Sequence, residues 1–243
     1  ITGTKYGRSE EDLKQIEVKI TNTENSIKVN TVFNGSNRGG RGASYVIRAP
    51  HSAELVSVDT SNGSVRAEDL AKVGRLDTSN ASITINRCKG PLVADTSNGS
   101  IRVSQTPGDL TLDSSNARIE ADDVAGAIVA DTSNGSIRAT VVDPPQGADL
   151  RFDTSNASIE VTVKKYQANP MLLDSSNGSV TLRLPEDVNA ELHATTSNGS
   201  IQTGFPVTVT GALKKNELKT TLGSGGPLIR VSTSNSGVRI LRD

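Results

Sequence analysis

The residues with the clearest potential for chemistry are aspartates that recur at one position of a repeated segment. They are Asp59, Asp77, Asp95, Asp113, Asp131, Asp153 and Asp174, and the next copy has Thr195 instead. Carboxylates in a row can bind Ca²⁺, which takes several oxygen ligands, or act as the acid and base of a polysaccharide-cleaving enzyme. Each could instead accept a backbone N–H two residues later in an Asx turn. The Gly-Gly-x-Gly-x-Asp pattern of Ca²⁺ β-rolls does not occur in the sequence, which favours the Asx turn.

Other catalytic side chains are scarce in the sequence. The two histidines, His51 and His193, lie far apart, and neither has a nucleophile motif beside it. There is no His-Glu-x-x-His, Gly-x-Ser-x-Gly or phosphate-binding motif, and only 2% of the residues are aromatic. The sequence therefore predicts no catalytic residue, no metal site and no cofactor. We expect the single cysteine, Cys88, to be a small buried hydrophobe.

A repeated segment extends over nearly the whole chain. Its core is Asp-Thr/Ser-Ser-Asn-Gly/Ala-Ser-Ile/Val, and successive copies are 18, 18, 18, 18, 22, 21 and 21 residues apart. The asparagines of the core are Asn62, Asn80, Asn98, Asn116, Asn134, Asn156, Asn177 and Asn198. A further copy occurs at 234–236, and a degenerate one at 23–27. Self-similarity at a fixed period is the signature of a repeat architecture.

Apolar residues alternate with polar ones on both sides of the core, as in Leu110-x-Leu112 and Ile119-x-Ala121. This alternation predicts two short strands per repeat, joined by a turn at the core. A meander of hairpins is the alternative. The constant repeat length favours an all-β fold, a single-stranded β-solenoid (β-helix or β-roll) with coils of 18–22 residues. We expect one solenoid domain over 1–243, with irregular N-terminal coils and a cap in 1–50, regular coils in 51–203, and an insertion and closing coil in 204–243.

The length of one coil follows from the charges that would stack. A 36-residue coil would place arginines over one another, whereas an 18-residue coil alternates Arg102, Glu120, Arg138 and Glu160. Opposite charges on neighbouring strands stabilise a sheet and like charges destabilise it. The shorter coil is therefore predicted. It gives an inward column of Val56, Gly74, Leu92, Leu110, Ile128, Leu150, Met171 and Leu192.

The asparagines of the core predict a structural ladder. If alternation continues through the turn, each asparagine points inward, and stacked amides at about 4.8 Å can hydrogen-bond to one another. A buried amide could not accept a glycan, so we expect the Asn-x-Ser sequences to be unmodified. The glycine after each asparagine supplies a position that tolerates positive φ, and the alanines that replace it in alternate copies would be strained there.

Insertions at one place of the unit, between its second strand and the next first strand, suggest a binding side. They comprise 143–146, 164–167, 185–187 and 203–227. Loops on one side of a repeat protein often bind the partner. The candidate partner-binding residues are Lys164, Lys165, Tyr166, Lys214 and Lys215.

The composition excludes some classes of partner. With Lys+Arg 26 against Asp+Glu 27, the sequence has no basic face for nucleic acid or anionic membrane. Its longest apolar runs are only a few residues, so we expect no membrane span, and residues 1–4 lack the features of a signal peptide. The sequence does not determine an oligomeric state.

Residues 45–65, which include Tyr45-Val46-Ile47-Arg48-Ala49-Pro50, resemble a bacterial β-strand-repeat domain of unknown function that is labelled an adhesin. So do 182–201, 222–227 and the last Thr233-Ser234-Asn235. The resemblance covers most of 16–242 and implies a β-solenoid of exported proteins, periplasmic or at the cell surface. It implies a non-enzymatic structural or interaction module of the bacterial envelope, whose partner could be a protein or a glycan. The alternatives are a Ca²⁺-stabilised solenoid and a polysaccharide-active β-helix enzyme.

Overall fold

The structure, a computed structural model, describes residues 1–35, 40–207 and 215–243. Within these residues the chain is almost entirely β, with a single five-residue helix. It divides into two compact units, Ile1–Pro50 and His51–Asp243.

The first unit contains two antiparallel strand pairs and not parallel coils. Its elements are β1 (Thr2–Tyr6), α1 (Glu10–Lys14), β2 (Ile16–Asn22), β3 (Ile27–Phe33) and β4 (Gly42–Val46). β1 pairs with β4, and β2 pairs with β3. The degenerate repeat at 23–27 lies in the β2–β3 connection, where the N–H of Thr23 donates to the carbonyl of Ser26 at 2.9 Å. One hairpin, β2–β3, and one antiparallel pair of distant strands, β1 and β4, therefore replace the irregular coils expected for 1–50. The short degenerate copy supplies a turn and no stack of equivalent residues.

The second unit is a β-solenoid in which each coil contributes one strand to each of two sheets, and the strands of successive coils pair in parallel; β21 is an additional, antiparallel strand. The aspartate sheet contains β5 (Glu54–Thr60), β7 (Lys72–Thr78), β9 (Leu92–Thr96), β11 (Leu110–Ser114), β13 (Ile128–Thr132), β15 (Leu150–Thr154), β17 (Met171–Ser175), β19 (Ala190–Thr196), β21 (Glu217–Leu222) and β22 (Leu228–Thr233). The mixed-charge sheet contains β6 (Val65–Glu68), β8 (Ile83–Asn86), β10 (Ile101–Ser104), β12 (Ile119–Val124), β14 (Ile137–Val141), β16 (Ile159–Val163), β18 (Val180–Leu184), β20 (Ile201–Thr203) and β23 (Val238–Arg242). The β-solenoid is confirmed.

The strand register confirms the 18-residue coil. Asp113 pairs with Asp131 on the aspartate sheet, and Arg102 pairs with Glu120 on the mixed-charge sheet. Arg102 Nε donates to Glu120 Oε2 at 2.8 Å, and the next coils repeat the contact between Arg138 and Glu160 at 2.9 Å. Parallel pairing at offsets of 18, 22 and 21 residues excludes the hairpin meander for these coils. The predicted alternation of charge is therefore found.

The interior of the solenoid is a stack of aliphatic layers. Ile83, Ile101, Ile119, Ile137 and Ile159 are at most 1% exposed and lie over one another in successive coils. Each such side chain contributes about 1.5–3 kcal/mol by its burial. Cys88 is fully buried as predicted, and burial raises the pKa of its thiol.

The inward column departs from the prediction in the first two coils. Val56 is 77% exposed, whereas Val73 is fully buried and pairs with Leu55. Two residues, Gly74 and Arg75, separate the buried Val73 from the buried Leu76, so the alternation is broken there. Gly74 fits because a Cβ at this position would lie 2.4 Å from the carbonyl oxygen of Val56. Strict alternation assigned Val56 to the wrong face because it assumes one residue, and not two, between successive buried positions.

The closing coil does not lie at the end of the stack. β22 pairs with β17 on one side and β19 on the other, and β23 lies between β18 and β20 in the same way. β21 pairs antiparallel with the outer edge of β19. The last coil in the sequence is thus inserted beneath the coil formed by 190–203. The repeat spacing predicts a closing coil but carries no information on this order.

Candidate functional site

A buried column of hydroxyl groups holds the corner between the two sheets. Its members are Thr78, Thr96, Ser114, Thr132, Thr154, Ser175, Thr196 and Thr233. Ser114 Oγ donates to the carbonyl of Gly99 in the preceding coil at 3.1 Å and accepts the N–H of Ala117 at 3.2 Å. Thr96 and Thr132 make the same two bonds in their coils. Because every hydroxyl of this column donates to a carbonyl of a neighbouring coil, its burial leaves no hydroxyl without a hydrogen-bond partner.

The asparagine ladder is present, and every rung joins neighbouring coils. Asn116 Nδ2 donates to Asn98 Oδ1 at 2.8 Å, and Asn134 Nδ2 donates to Asn116 Oδ1 at 2.8 Å. At the inserted coil, Asn235 donates to Asn177 at 2.7 Å and accepts from Asn198 at 2.8 Å. All the amides therefore donate in one direction along the stack, toward Asn62.

The predicted inward orientation of these asparagines is wrong. The ladder residues, Asn62 through Asn198 together with Asn235, are all exposed, and so are the serines that precede them. The chain bends at the corner directly after each buried threonine or serine, so alternation does not continue through the turn. Burial therefore does not block glycosylation of the Asn-x-Ser sequences, and from Asn80 onward each Nδ2 is engaged by a ladder bond.

Close approach of neighbouring coils explains the alternation of glycine and alanine after each asparagine. A Cβ at Gly99 would lie 1.8 Å from the carbonyl oxygen of Ala81, and one at Gly135 would lie 1.9 Å from that of Ala117. Neither glycine has a positive φ. The explanation by positive φ is therefore wrong. Alternate corners lie too close to the preceding coil for any side chain, and the alanine corners between them have room.

The aspartates form a column on the outer surface of the aspartate sheet. They lie in register on seven successive strands, for example Asp95 with Asp113 and Asp131 with Asp153, at a strand spacing of about 4.8 Å. Each alternates with buried neighbours and points away from the core. The row of carboxylates is therefore accessible to solvent and to any molecule that binds to this face of the sheet.

The aspartates do not form the predicted Asx turns. The corner N–H groups are taken by hydroxyls instead, as when Ser114 Oγ accepts the N–H of Ala117. The few partners of the column are side chains, with Arg75 Nε 2.7 Å from Asp77 Oδ2 and Ser232 Oγ 2.8 Å from Asp174 Oδ1. The Asx interpretation failed because the aspartates sit within the strands and not in the turn.

Electrostatics within the column opposes full ionisation. Partial burial and the neighbouring carboxylates of Asp95 and Asp131 raise the pKa of Asp113. Burial, Asp131 and Asp174 raise the pKa of Asp153 in the same way. Like charges on adjacent strands destabilise a sheet. The aspartate column therefore lowers the stability of the fold. The serine or threonine at the same position of the last coils carries no charge and avoids this repulsion.

No group of three or more His, Cys, Asp or Glu side chains in the described residues is arranged to hold a metal ion. The two histidines lie in different coils. His193 Nε2 is 3.8 Å from Glu217 Oε1, and burial together with Lys219 and Arg230 lowers the pKa of His193. His51 Nδ1 lies 2.5 Å from the carbonyl oxygen of Asp69.

The predicted partner-binding residues are only partly free to bind. Lys164 Nζ lies 2.8 Å from Asp243, and Lys165 Nζ lies 2.9 Å from Asp143. Tyr166 packs against the core, and burial raises its pKa to about 12. Lys215 is exposed in the turn before β21. Lys214 lies outside the described residues.

Asn169, which sequence reasoning missed, organises the connections on this side. It is fully buried, its Nδ2 donates to the carbonyls of Pro145 and Ala148 at 2.8 and 3.0 Å, and its Oδ1 accepts the N–H of Gln167. Gln167 Nε2 also donates to Asp143 at 2.6 Å. The 143–146 and 164–167 insertions thus lie side by side. An Asn-Pro pair after an insertion is the only signal that pointed to Asn169.

Over the parts of the chain that the structure describes, no helix has the length and apolar character needed to cross a membrane. The chain matches no family model, no curated protein and no solved structure with which it was compared.

Proposed function

We propose that this chain is a non-enzymatic structural or interaction module, adhesin-like, of the bacterial cell envelope, exported to the periplasm or the cell surface. The aspartate column is the observation that carries this proposal. Seven carboxylates face outward in register although the corner hydroxyls already satisfy the turns. A feature that costs stability and has no structural task is expected where function requires it.

The arrangement suits a partner with repeated positive or hydrogen-bonding groups. The aspartates lie beside columns of exposed serine and asparagine, such as Asp113, Ser115 and Asn116. These columns run parallel along the sheet and do not converge on one point, as the groups of an active site do. A protein or glycan of the cell surface could contact many coils at once, each adding a small contribution. The resemblance to adhesin-type repeats supports the location.

The test is binding of the fluorescently labelled full chain to isolated bacterial envelope fragments. We compare wild type with Asp95→Asn/Asp113→Asn/Asp131→Asn, which neutralises the middle of the column. The control, Asp122→Asn/Asp123→Asn/Asp187→Asn, removes three exposed carboxylates elsewhere and keeps the same net charge. Loss of at least tenfold in affinity for the column variant alone supports the proposal.

Equal binding by the two triple variants would contradict the role of the column, and no binding by wild type would contradict the function itself. Lys164→Ala/Lys165→Ala/Lys215→Ala serves as a third arm, and a larger loss in that variant would assign binding to the loops. Hydrolysis of an acidic polysaccharide by wild type would replace the proposal with an enzyme.

A further inference from the structure

The insertion of the closing coil creates a slot in the solenoid. On one wall, Val180 N donates to the carbonyl of Gly237 at 3.1 Å, and on the other, Val238 N donates to the carbonyl of Ser200 at 3.0 Å. The closing coil fills this slot with Ile229, Val231, Val238 and Ile240, all fully buried. Its Thr233 hydroxyl donates to the carbonyl of Gly178 at 2.8 Å. The slot is therefore built to receive one coil of a particular sequence.

The two walls of the slot are coils with equivalent residues, and their spacing along the sequence is that of directly stacked coils. Asn177 and Asn198 are 21 residues apart, the same step that separates Asn156 from Asn177 in coils that do stack directly. The core residues are at matching positions, with Leu173 and Ala194 on the aspartate sheet. The spacing of the two walls along the sequence therefore matches that of directly stacked coils, but the structure places the closing coil between them.

A glycine-rich hinge connects the closing coil to the rest of the chain. The sequence Gly223-Ser224-Gly225-Gly226-Pro227 leads from β21, on the outer edge of β19, to β22, on its inner edge. The three glycines have φ values of 56°, 82° and 155°, which residues with a side chain rarely adopt. The chain therefore reverses across β19 through a hinge whose backbone conformation favours glycine.

Asn189 clamps this hinge in its folded-back form. Its Oδ1 accepts the N–H of Ser224 at 2.8 Å and the Ser224 hydroxyl at 3.0 Å. A Cβ at Gly223 would lie 2.1 Å from the same oxygen, so the hinge packs closely on Asn189. The side-chain amide of one residue thus fixes the path of the hinge.

We infer that the slot accepts the closing coil of a second copy of this chain, so that two copies exchange residues 228–242. An extended hinge would direct the coil away from its own slot, and only another copy supplies the same residues. The exchanged pair keeps every contact of the slot and changes the hinge alone. Its population is then set by hinge conformation and protein concentration. The partner is a second copy, joined by reciprocal strand insertion.

The test traps the coil with a disulfide in the full chain. Thr181 and Arg239 are register partners on β18 and β23 and both face outward. Cys88→Ala/Thr181→Cys/Arg239→Cys is incubated at rising concentration and then oxidised with diamide. The matched control, Cys88→Ala/Thr111→Cys/Val129→Cys, joins register partners of coils that are consecutive in sequence. We expect covalent dimer that increases with concentration in the first variant and only monomer in the control.

Monomer alone in the first variant at every concentration would overturn the inference, as would equal dimer in both variants, which indicates random collision. In the same background, Asn189→Ala should raise the dimer fraction at least twofold, whereas Asp187→Ala, an exposed change in the same connection, should not. A measurement on the chain without substitutions does not depend on whether the variants fold. Affinity-tagged and untagged wild type are incubated together, and failure of the tagged chain to retain the untagged one also overturns the inference.

Discussion

At the scale of single residues, the repeated core divides its tasks among neighbouring positions. The threonine or serine enters the corner and satisfies backbone groups, the asparagine joins adjacent coils at the surface, and the aspartate faces outward. Only the first two contribute bonds that repeat from coil to coil. The aspartate position is therefore the one at which substitution should improve stability.

Replacing Asp113 by Asn is expected to stabilise the protein at pH 7 by about 0.5–1 kcal/mol, because it removes repulsion from two neighbouring carboxylates. The folded-state pKa of Asp113 is raised, so its ionisation favours unfolding. The unfavourable effect is absent well below pH 3.8, develops as the pH rises through the unfolded and then the folded pKa, and is complete above both. Urea denaturation at pH 3 and pH 7 measures it. Asp122→Asn, outside the column, is the control, and an equal gain there would contradict the explanation.

The buried hydroxyl should be worth more than the exposed amide two residues later. Ser114→Ala leaves the Gly99 carbonyl and the Ala117 N–H without their partner, at a cost of about 1–3 kcal/mol. Asn116→Ala breaks two ladder bonds, but water can replace them at the surface, so we expect about 1 kcal/mol or less. Chemical denaturation of both variants gives the order. A larger loss of unfolding free energy for Asn116→Ala than for Ser114→Ala would mean that the ladder, and not the buried hydroxyl, stabilises the corner.

At the scale of the elements, the corner is where sequence reasoning succeeded least. Period-two alternation identified the strands and most of the core, because each strand has one buried face. It failed at Asn116, where the backbone bends, and at Val56, where two residues intervene between buried positions. Both failures have one cause, since alternation describes a regular strand and carries no information on a bend. The role of Gly99 also depends on a contact with the preceding coil that no local pattern contains.

Glycine at alternate corners should be indispensable. Gly99→Ala places a Cβ where the carbonyl of Ala81 lies 1.8 Å away, so the two coils must separate. We expect a loss of about 2–3 kcal/mol, comparable to overpacking of a core. The reverse change, Ala117→Gly, removes a methyl group without a clash and should cost about 1 kcal/mol or less. Thermal unfolding compares the two, and similar losses would contradict the close approach of the coils.

At the scale of the whole molecule, the repeat determined the coil length and the register, but not the order of the last coils. Both 190–203 and 228–242 carry the residues of a coil at the usual spacing within the coil. Either segment could therefore stack on the coil of 171–184. The observed order depends on the 223–227 hinge and on the pairing of β21 with β19, which are long-range features. The candidate site shows the same limit. The aspartate column was recognised from its spacing, and alternation placed it on the outer face, whereas the outward orientation of the asparagines required the structure.

The most direct test of the account is disulfide formation along one column of the aspartate sheet. Leu172 pairs with Arg230, and Arg230 pairs with His193, so Leu172 and His193 are separated by the inserted coil at about 9.6 Å, two strand spacings. In a Cys88→Ala background, Leu172→Cys/Arg230→Cys should form a disulfide readily on oxidation, and Leu172→Cys/His193→Cys should not, because a disulfide requires Cα atoms within about 7 Å. Rapid closure of the 172–193 pair with none of the 172–230 pair would contradict the inserted coil and the stacking order derived from it.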